Sequence, residues 1–501
     1  AQESNKKWFP YNKGGEFRKW YGNNDYLVNW QDDGAELNSF KPKAVIRNPN
    51  FYFRPSITWT LISSSYFGVR VCEHGFVFDV NGMSIFPDTE NIKNQIISLL
   101  CSKVAHEILK IINESMAFQV SDIAKIPVKG VNNFDTNKAI KITKNDWDSY
   151  ETSWDFSSSP LLAQDIIEPT LSVSYTNTRT QGLAYTQEMQ HLEEKNNSIF
   201  IDAYGLQDEL TSNVLLNEIT LTCNPHYRYS GDLTEQQREE RLQSDTIAEL
   251  ISYAIGCMMG RYSLDREGLV YAHAGNQGFA ELVSEGAYTT FAADDDAILP
   301  ITEQEWFSDD VTNRVSEFIR TVWGEQHLEE NLQFIADSLC LYAIKPKKGE
   351  RALETIRRYL GTQFYKDHLK TYKRRPIYWL FSSGKHKAFE CLVYLHRYHE
   401  GTLARMRTEY VIPLTARINA RINRLNEEVE AASSTSERKQ LMAELKTLQN
   451  QQAELATFDE QLRHHADMRI SLDLDDGVKE NYGKFGNLLD SVRVVTGKAP
   501  K

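Results

Sequence analysis

Apolar residues alternate with polar ones in the amino-terminal part of the chain and follow helical spacing through the remainder. Val69 and Val71 lie before Glu73-His74-Gly75, and Phe76, Phe78 and Val80 after it, which predicts a hairpin over Tyr66–Val80. Gly14-Gly15, Asp33-Gly34 and Asn48-Pro49 punctuate the short segments before it. Ile96, Leu100, Val104, Ile108 and Ile111 form one stripe, predicting a helix from about Asn91 to Asn113. The polar stretch Lys129–Ser159 reads as a linker, and Ile219–Thr222 as a short strand. From Ala184 onward helical spacing dominates, with helices expected over Asp245–Met259, Val311–Trp323 and Leu328–Ile344. Asp294-Asp295-Asp296 reads as a solvated loop among them. Leu414, Ile418, Ile422, Leu425 and Val429 then make a heptad-like seam, which Ser433-Ser434-Thr435-Ser436 interrupts and Leu441, Leu445, Leu448, Leu455 and Leu462 resume. Two seams about a Ser-rich turn predict an antiparallel coiled-coil hairpin. No repeat of the solenoid kind occurs.

The fold class expected is α+β: a mixed α/β domain over 1–145, then a mainly helical region. That region divides into a linker and helical spacer over 146–240, a helical domain over 241–410, and the hairpin with its tail over 411–501. A length of 501 residues suits about three domains. Hydrophobic content of 41% and charged content of 25% are those of a soluble protein. The cysteines, at 72, 101, 223, 257, 340 and 391, are scattered without a CxxC pair, so a reduced intracellular protein is expected over a disulfide scaffold. Ala1–Trp8 lacks the apolar core of a secretory signal, and apolar stretches such as Ile247–Met259 are too short to span a bilayer. The chain starts without Met inside what reads as folded sequence, which suggests a piece of a longer protein.

Charge changes the picture. Between Lys345 and Lys387 thirteen Lys and Arg face three acids, a local +10 inside a total of −13. Tyr359, Phe364, Tyr365, Tyr372, Tyr378, Trp379 and Phe381 are threaded through this stretch. Concentrated positive charge on an acidic protein is what a polyanion-binding face needs, because Lys and Arg neutralise phosphates while repulsion elsewhere limits non-specific association. Lys373, Arg374 and Arg375, directly before Pro376, are the leading candidates for phosphate contact, with Lys345, Lys347, Lys348, Lys385 and Lys387 beside them. A solvated helix face is the plain alternative.

Chemical motifs are incomplete. Asp473, Asp475, Asp476 and Gly477 imitate a calcium loop, but the glycine comes one place early and Lys484 stands where a bidentate Glu is needed. His396 and His399 lie one helical turn apart without a further ligand motif. Glu193 and Lys195 match the end of a nuclease-type E-x-K, on what reads as the polar side of a helix. No P-loop, G-x-S-x-G or G-x-G-x-x-G is present. Asn224-Pro225-His226-Tyr227 imitates the tetrapeptide with which amino methyltransferases grip a flipped base, but His226 replaces its second proline. A turn after the strand is the competing reading. No catalytic and no metal-binding residue is assigned.

Four ordered blocks point to a family. They are residues 8–22 (WFPYNKGGEFRKWYG), 54–60 (RPSITWT), Leu192-Glu193-Glu194 through Tyr204-Gly205-Leu206, and 375–381 (RPIYWLF). In this order they resemble the downstream half of the PglX-type adenine-specific DNA methyltransferases of BREX phage-defence systems, and more weakly single-chain restriction-modification enzymes with fused specificity domains. The resemblance implies that the catalytic half, with its S-adenosylmethionine site and Asn-Pro-Pro-Tyr motif, precedes this region, so no cofactor is expected in this chain. It implies that residues 1–145 are a target-recognition domain and that the helical remainder clamps double-stranded DNA. The expected partners are therefore double-stranded DNA, the amino-terminal methyltransferase half, other phage-defence proteins and acidic proteins that mimic DNA, with no membrane and a cytoplasmic location. The function implied is target recognition for a site-specific adenine-N6 DNA methyltransferase that marks host DNA. A helical scaffold that docks defence proteins without reading sequence is the alternative.

Direct readout within 1–145 needs side chains with paired donors or acceptors. Arg47, Asn48, Arg54, Thr58, Thr60, Ser63, Ser64 and Ser65 offer them beside Tyr52 and Trp59, and Arg18 and Lys19 follow Gly14-Gly15. The competing readings put Tyr52 and Trp59 in the core, pair Arg54 with Asp79, and make the serines a turn.

Overall fold

The computed structural model describes residues 6–63, 66–113, 115, 117–131, 135–272 and 277–499. They fold into two compact units: unit 1 comprises 1–156 and 176–238, and unit 2 comprises 157–175 and 239–501. The architecture is mixed α and β, largely helical, with small three-stranded sheets.

Unit 1 carries short strands, some of them buried on both faces. These are β1 (Trp8–Asn12), β2 (Leu27–Asn29), β3 (Ser56–Thr60), β4 (Val69–Cys72), β5 (Val77–Phe78) and β6 (Gly82–Ile85). β3 is central in one sheet, antiparallel to β4 and β6, with Trp59 opposite Val69 and Met83. β1 is central in the other, antiparallel to β2 and parallel to β5. The expected hairpin over Tyr66–Val80 is therefore corrected: both of its runs are strands, but they join different sheets. Phe53 separates them, its N–H donating to the Phe76 carbonyl (2.8 Å) and its carbonyl accepting from Gly75 (3.1 Å).

The single helix expected over Asn91–Asn113 is two, Glu90–Leu100 and Lys103–Ile112. Ser102 is extended between them and caps the second, its hydroxyl accepting from the Ala105 amide. The break turns the stripe: Val104, Ala105 and Leu109 are buried while Ile111 stands 84% exposed. The expected linker Lys129–Ser159 contains a helix, Thr136–Asp148, capped by Asp135. Its sparse apolar positions, Ala139 and Ile142, are buried against a core that includes Trp20, Trp59, Met189 and Phe200. A smaller aromatic core gathers Phe9, Trp30, Tyr52 and Val77.

Unit 2 is built on helices Val311–Trp323, Leu328–Leu341 and Ala352–Tyr359, the last continuing through a wide π turn, Leu360–Phe364, into Tyr365–Thr371. The first of these matches the expected bounds. β7 (Ile298–Pro300), β8 (Tyr378–Ser382) and β9 (Glu390–Tyr394) form an antiparallel sheet in the order β7-β9-β8, with every position of β8 and β9 buried. The Asp294–Asp296 segment is not the solvated loop expected. The Asp294 carboxylate accepts from Asp296 and Ala297 amides, Arg397 donates to the Asp294 and Asp295 carbonyls, and Asp296 shares the Tyr410 hydroxyl with Asp309. Helices Ile412–Ala431 and Thr435–Asp467 pack together and bury Leu414, Ile418, Ile422 and Leu425 with Leu448, Leu455 and Leu462. Arg421 pairs with Glu444 (2.9 Å) and Gln452 donates to Asn419 (2.6 Å) across them. Among the described residues no helix is long and apolar enough to cross a membrane.

Candidate nucleic-acid interface

The basic run divides between the two ends of β8. The helix ending at Thr371 runs out through Tyr372, and Lys373 (φ 50°) and Arg374 (φ 62°) then adopt left-handed backbone. The reversal satisfies helix-terminal carbonyls, with Arg374 N–H donating to Leu369 (2.7 Å) and Arg375 N–H to Tyr372 (2.8 Å). Lys373, Arg374 and Arg375 are exposed there, beside the negative end of the helix dipole. His368 holds the exit: its Nε2 accepts from the Ile377 and Tyr378 amides, both at 3.1 Å. Burial, with Arg261 adding to it, lowers the His368 pKa to about 3, so the ring stays a neutral acceptor.

The other end carries Lys385, exposed, and Lys387, whose ammonium donates to the Gly361 carbonyl (2.6 Å) and pairs with Glu390 (2.9 Å). Lys347, Lys348 and Lys387 line one cleft of about 460 Å3 with Arg357 and Arg358. Arg357 pairs with buried Asp310 and Arg358 with Glu350, both at 2.7 Å, so these two cations are neutralised locally. Lys345 is exposed just before the cleft residues. A five-residue strand separates Lys373–Arg375 from Lys385–Lys387, roughly 17 Å at strand rise. The aromatics of the run serve the interior instead: Tyr359, Phe364, Tyr365, Tyr378, Trp379 and Phe381 are all buried.

The unit 1 candidates also separate. Arg18 and Lys19 are buried. Arg18 lies between the Trp147 and Tyr227 rings, 4.9 and 5.5 Å from their centroids, and pairs with Asp146 at 3.7 Å. Lys19 pairs with Glu193, which also accepts from the Trp20 indole (2.9 Å). Thr58 is buried and donates to the Met83 carbonyl, Thr60 donates to Gly15, and Ser63 to Tyr66. Ser64 and Ser65 lie outside the described residues. Arg47, Asn48 and Arg54 are exposed. Tyr52 and Trp59 are core residues, and Asp79 accepts from the Tyr11 hydroxyl (2.6 Å), not from Arg54. Sequence reasoning missed Asp146, which caps the Thr222 and Cys223 amides from within the supposed linker, and His368, whose only signal was its helical spacing from Phe364 and Tyr372.

The decoy motifs resolve into structural parts. Asn224 is buried as a cap, donating to the Leu216 and Ile219 carbonyls and accepting from His226 N–H. Tyr227 donates to the Phe17 carbonyl, and residues 219–222 form a turn segment, not the strand expected. Asn224 is thus occupied with backbone, and the tetrapeptide does not fit the site of an S-adenosylmethionine-dependent amino methyltransferase. Glu193 is buried, not on a polar face. His399 accepts from Gly401 N–H, and among the described residues no cluster of His, Cys, Asp and Glu could hold a metal.

No family model matches the chain. It is 53% identical over 504 residues to the adenine-specific methyltransferase BrxX of Escherichia coli O9:H4 (strain HS), a match covering 100% of this chain and 41% of that protein. It is 35% identical over 498 residues to the adenine-specific methyltransferase PglX of Lacticaseibacillus casei (strain Zhang), covering 96% of this chain and 39% of that one. The chain therefore spans about two-fifths of the adenine-specific methyltransferases it is similar to, and is matched along nearly all of its own length.

Proposed function

We propose that this chain is the target-recognition and duplex-holding part of a site-specific adenine-N6 DNA methyltransferase that marks host DNA in BREX-type phage defence. The observation that carries this is the whole-chain identity of 53% with a relative named as an adenine-specific methyltransferase. In this reading unit 1 presents sequence-reading side chains, of which Arg47, Asn48 and Arg54 are accessible, and Arg18, Lys19 and Thr58 brace the surface from inside. Unit 2 holds the phosphate backbone through Lys345, Lys347, Lys348, Lys373, Arg374, Arg375 and Lys385, with the last two long helices as an antiparallel hairpin. Cofactor binding and methyl transfer belong to a preceding methyltransferase part. Acidic proteins that mimic DNA would compete for the same cations.

Fluorescence anisotropy of the chain with random-sequence and selected duplexes tests the reading. Expected are a sequence preference and an affinity that falls linearly in log–log against salt. Binding without any sequence preference would favour a docking scaffold. Exchange of residues 1–145 between relatives in the intact enzyme should move the methylated site.

A further inference from the structure

One exposed cation of unit 1 has its guanidinium set over two aromatic rings. Arg54 lies over Phe51 and Phe86, 5.3 and 5.7 Å from their ring centroids, and the two rings lie 5.0 Å apart. Phe86 packs on Phe78 (5.3 Å), Phe78 on Tyr52 (5.0 Å), and Tyr52 edge-on against Trp30 (4.9 Å). Tyr52 and Trp30 are buried, so this chain of rings roots an exposed side chain in the aromatic core.

The backbone around it is strained in the same service. Asn48 (φ 52°) and Phe53 (φ 67°) both occupy the left-handed region. For a bulky aromatic residue that conformation is strained and persists only where the surroundings impose it. The paired bonds of Phe53 with Phe76 and Gly75 impose it here, immediately before Arg54. Asn48 and Asn50, also exposed, lie in the same loop.

Stacking covers the faces of a guanidinium and leaves its edge donors pointing outward in a set plane. A phosphate is met by any flexible cation from many directions, and the lysines and arginines of unit 2 supply that. Two parallel donors held in one plane match the N7 and O6 acceptors of guanine. We infer that Arg54, stacked on Phe51 and Phe86, reads one guanine in the major groove of the target site. The inference rests on the reading of unit 1 as the sequence-recognising part.

The test is selection of sites from a random duplex library by the chain, followed by anisotropy on single-base variants of the selected site. Arg54→Lys keeps the charge but removes the planar pair of donors. It is expected to lose the preference for one guanine by about ten-fold while binding unselected duplex as before. Phe86→Leu, which loosens the platform, is expected to reduce the same preference partially. Retention of every base preference in Arg54→Lys overturns the inference. So does an Arg54→Ala variant that weakens all duplexes alike and lowers the salt slope, which identifies a phosphate contact. A parent chain with no base preference at all overturns the reading of unit 1 itself, and the inference with it.

Discussion

Lys19 and Glu193 form an ion pair buried inside unit 1, joining positions 174 residues apart in the chain. Burial raises the Glu193 pKa, and Lys19 and the Trp20 indole oppose that rise by stabilising the carboxylate. Removing one partner strands the other charge out of water. Lys19→Met or Glu193→Gln is expected to destabilise the protein by about 3–5 kcal/mol in urea unfolding, and replacement of both by apolar residues by much less. A double-variant loss equal to the sum of the two single losses would show the pair to be uncoupled.

Lys373 and Arg374 hold left-handed backbone without being glycine. Each change to Gly is expected to stabilise the folded state against unfolding by about 1 kcal/mol, because the Cβ clash disappears. The same change should lower the salt slope of duplex binding by about one and weaken all sequences alike. Arg374→Ala separates the two effects, since it removes the charge and keeps the strain. Unchanged affinity and slope in Arg374→Ala and Arg375→Ala would make the basic turn a solvated surface.

His368 makes the fold acid-sensitive. Its folded-state pKa of about 3 lies below the ordinary 6.5, so between these values the unfolded chain binds a proton that the folded state excludes. Stability is therefore present above 6.5 and lost as pH falls, by up to about 1.4 kcal/mol per unit. Other groups titrate there too, Asp294 in the opposite sense because burial raises it to about 7. The difference from His368→Gln, which keeps an acceptor for the Ile377 and Tyr378 amides but does not titrate, isolates the histidine. The variant should lose less stability than the parent as pH falls; parallel curves would contradict this.

Asn224 caps a short helix with its side chain engaged on three backbone groups. Asn224→Ala is expected to cost about 1–2 kcal/mol of stability through the lost cap. Titration of the chain with S-adenosylmethionine is expected to give no heat. Micromolar binding in calorimetry would return Asn224 and Tyr227 to consideration as catalytic residues.

Local periodicity was enough to locate the helix Val311–Trp323 and the two long helices near the carboxyl end, since each repeats a buried face over many turns. It also found the strand runs at Val69–Val71 and Phe76–Phe78, because an extended apolar run is a property of the segment alone, although Val77 is the residue buried in the second run and Val80 is exposed. Their partners were not legible. Which sheet a short strand joins depends on Phe53, distant in sequence, bonding across the turn between them. Ser102 broke one helical stripe in two because a single cap outweighs continuous apolar spacing. The charge excess of 345–387 was visible as composition, yet its division by β8 and the pairing of Arg357 with Asp310, an acid outside the run, were not, and Arg358 is neutralised by Glu350 of the run itself. Arg18 and Arg54 read alike as exposed recognition residues. Folding buries the first against Asp146 and Trp147 and mounts the second on Phe51 and Phe86, because the environment of a long cationic side chain is set by what packs beside it, not by its neighbours in sequence.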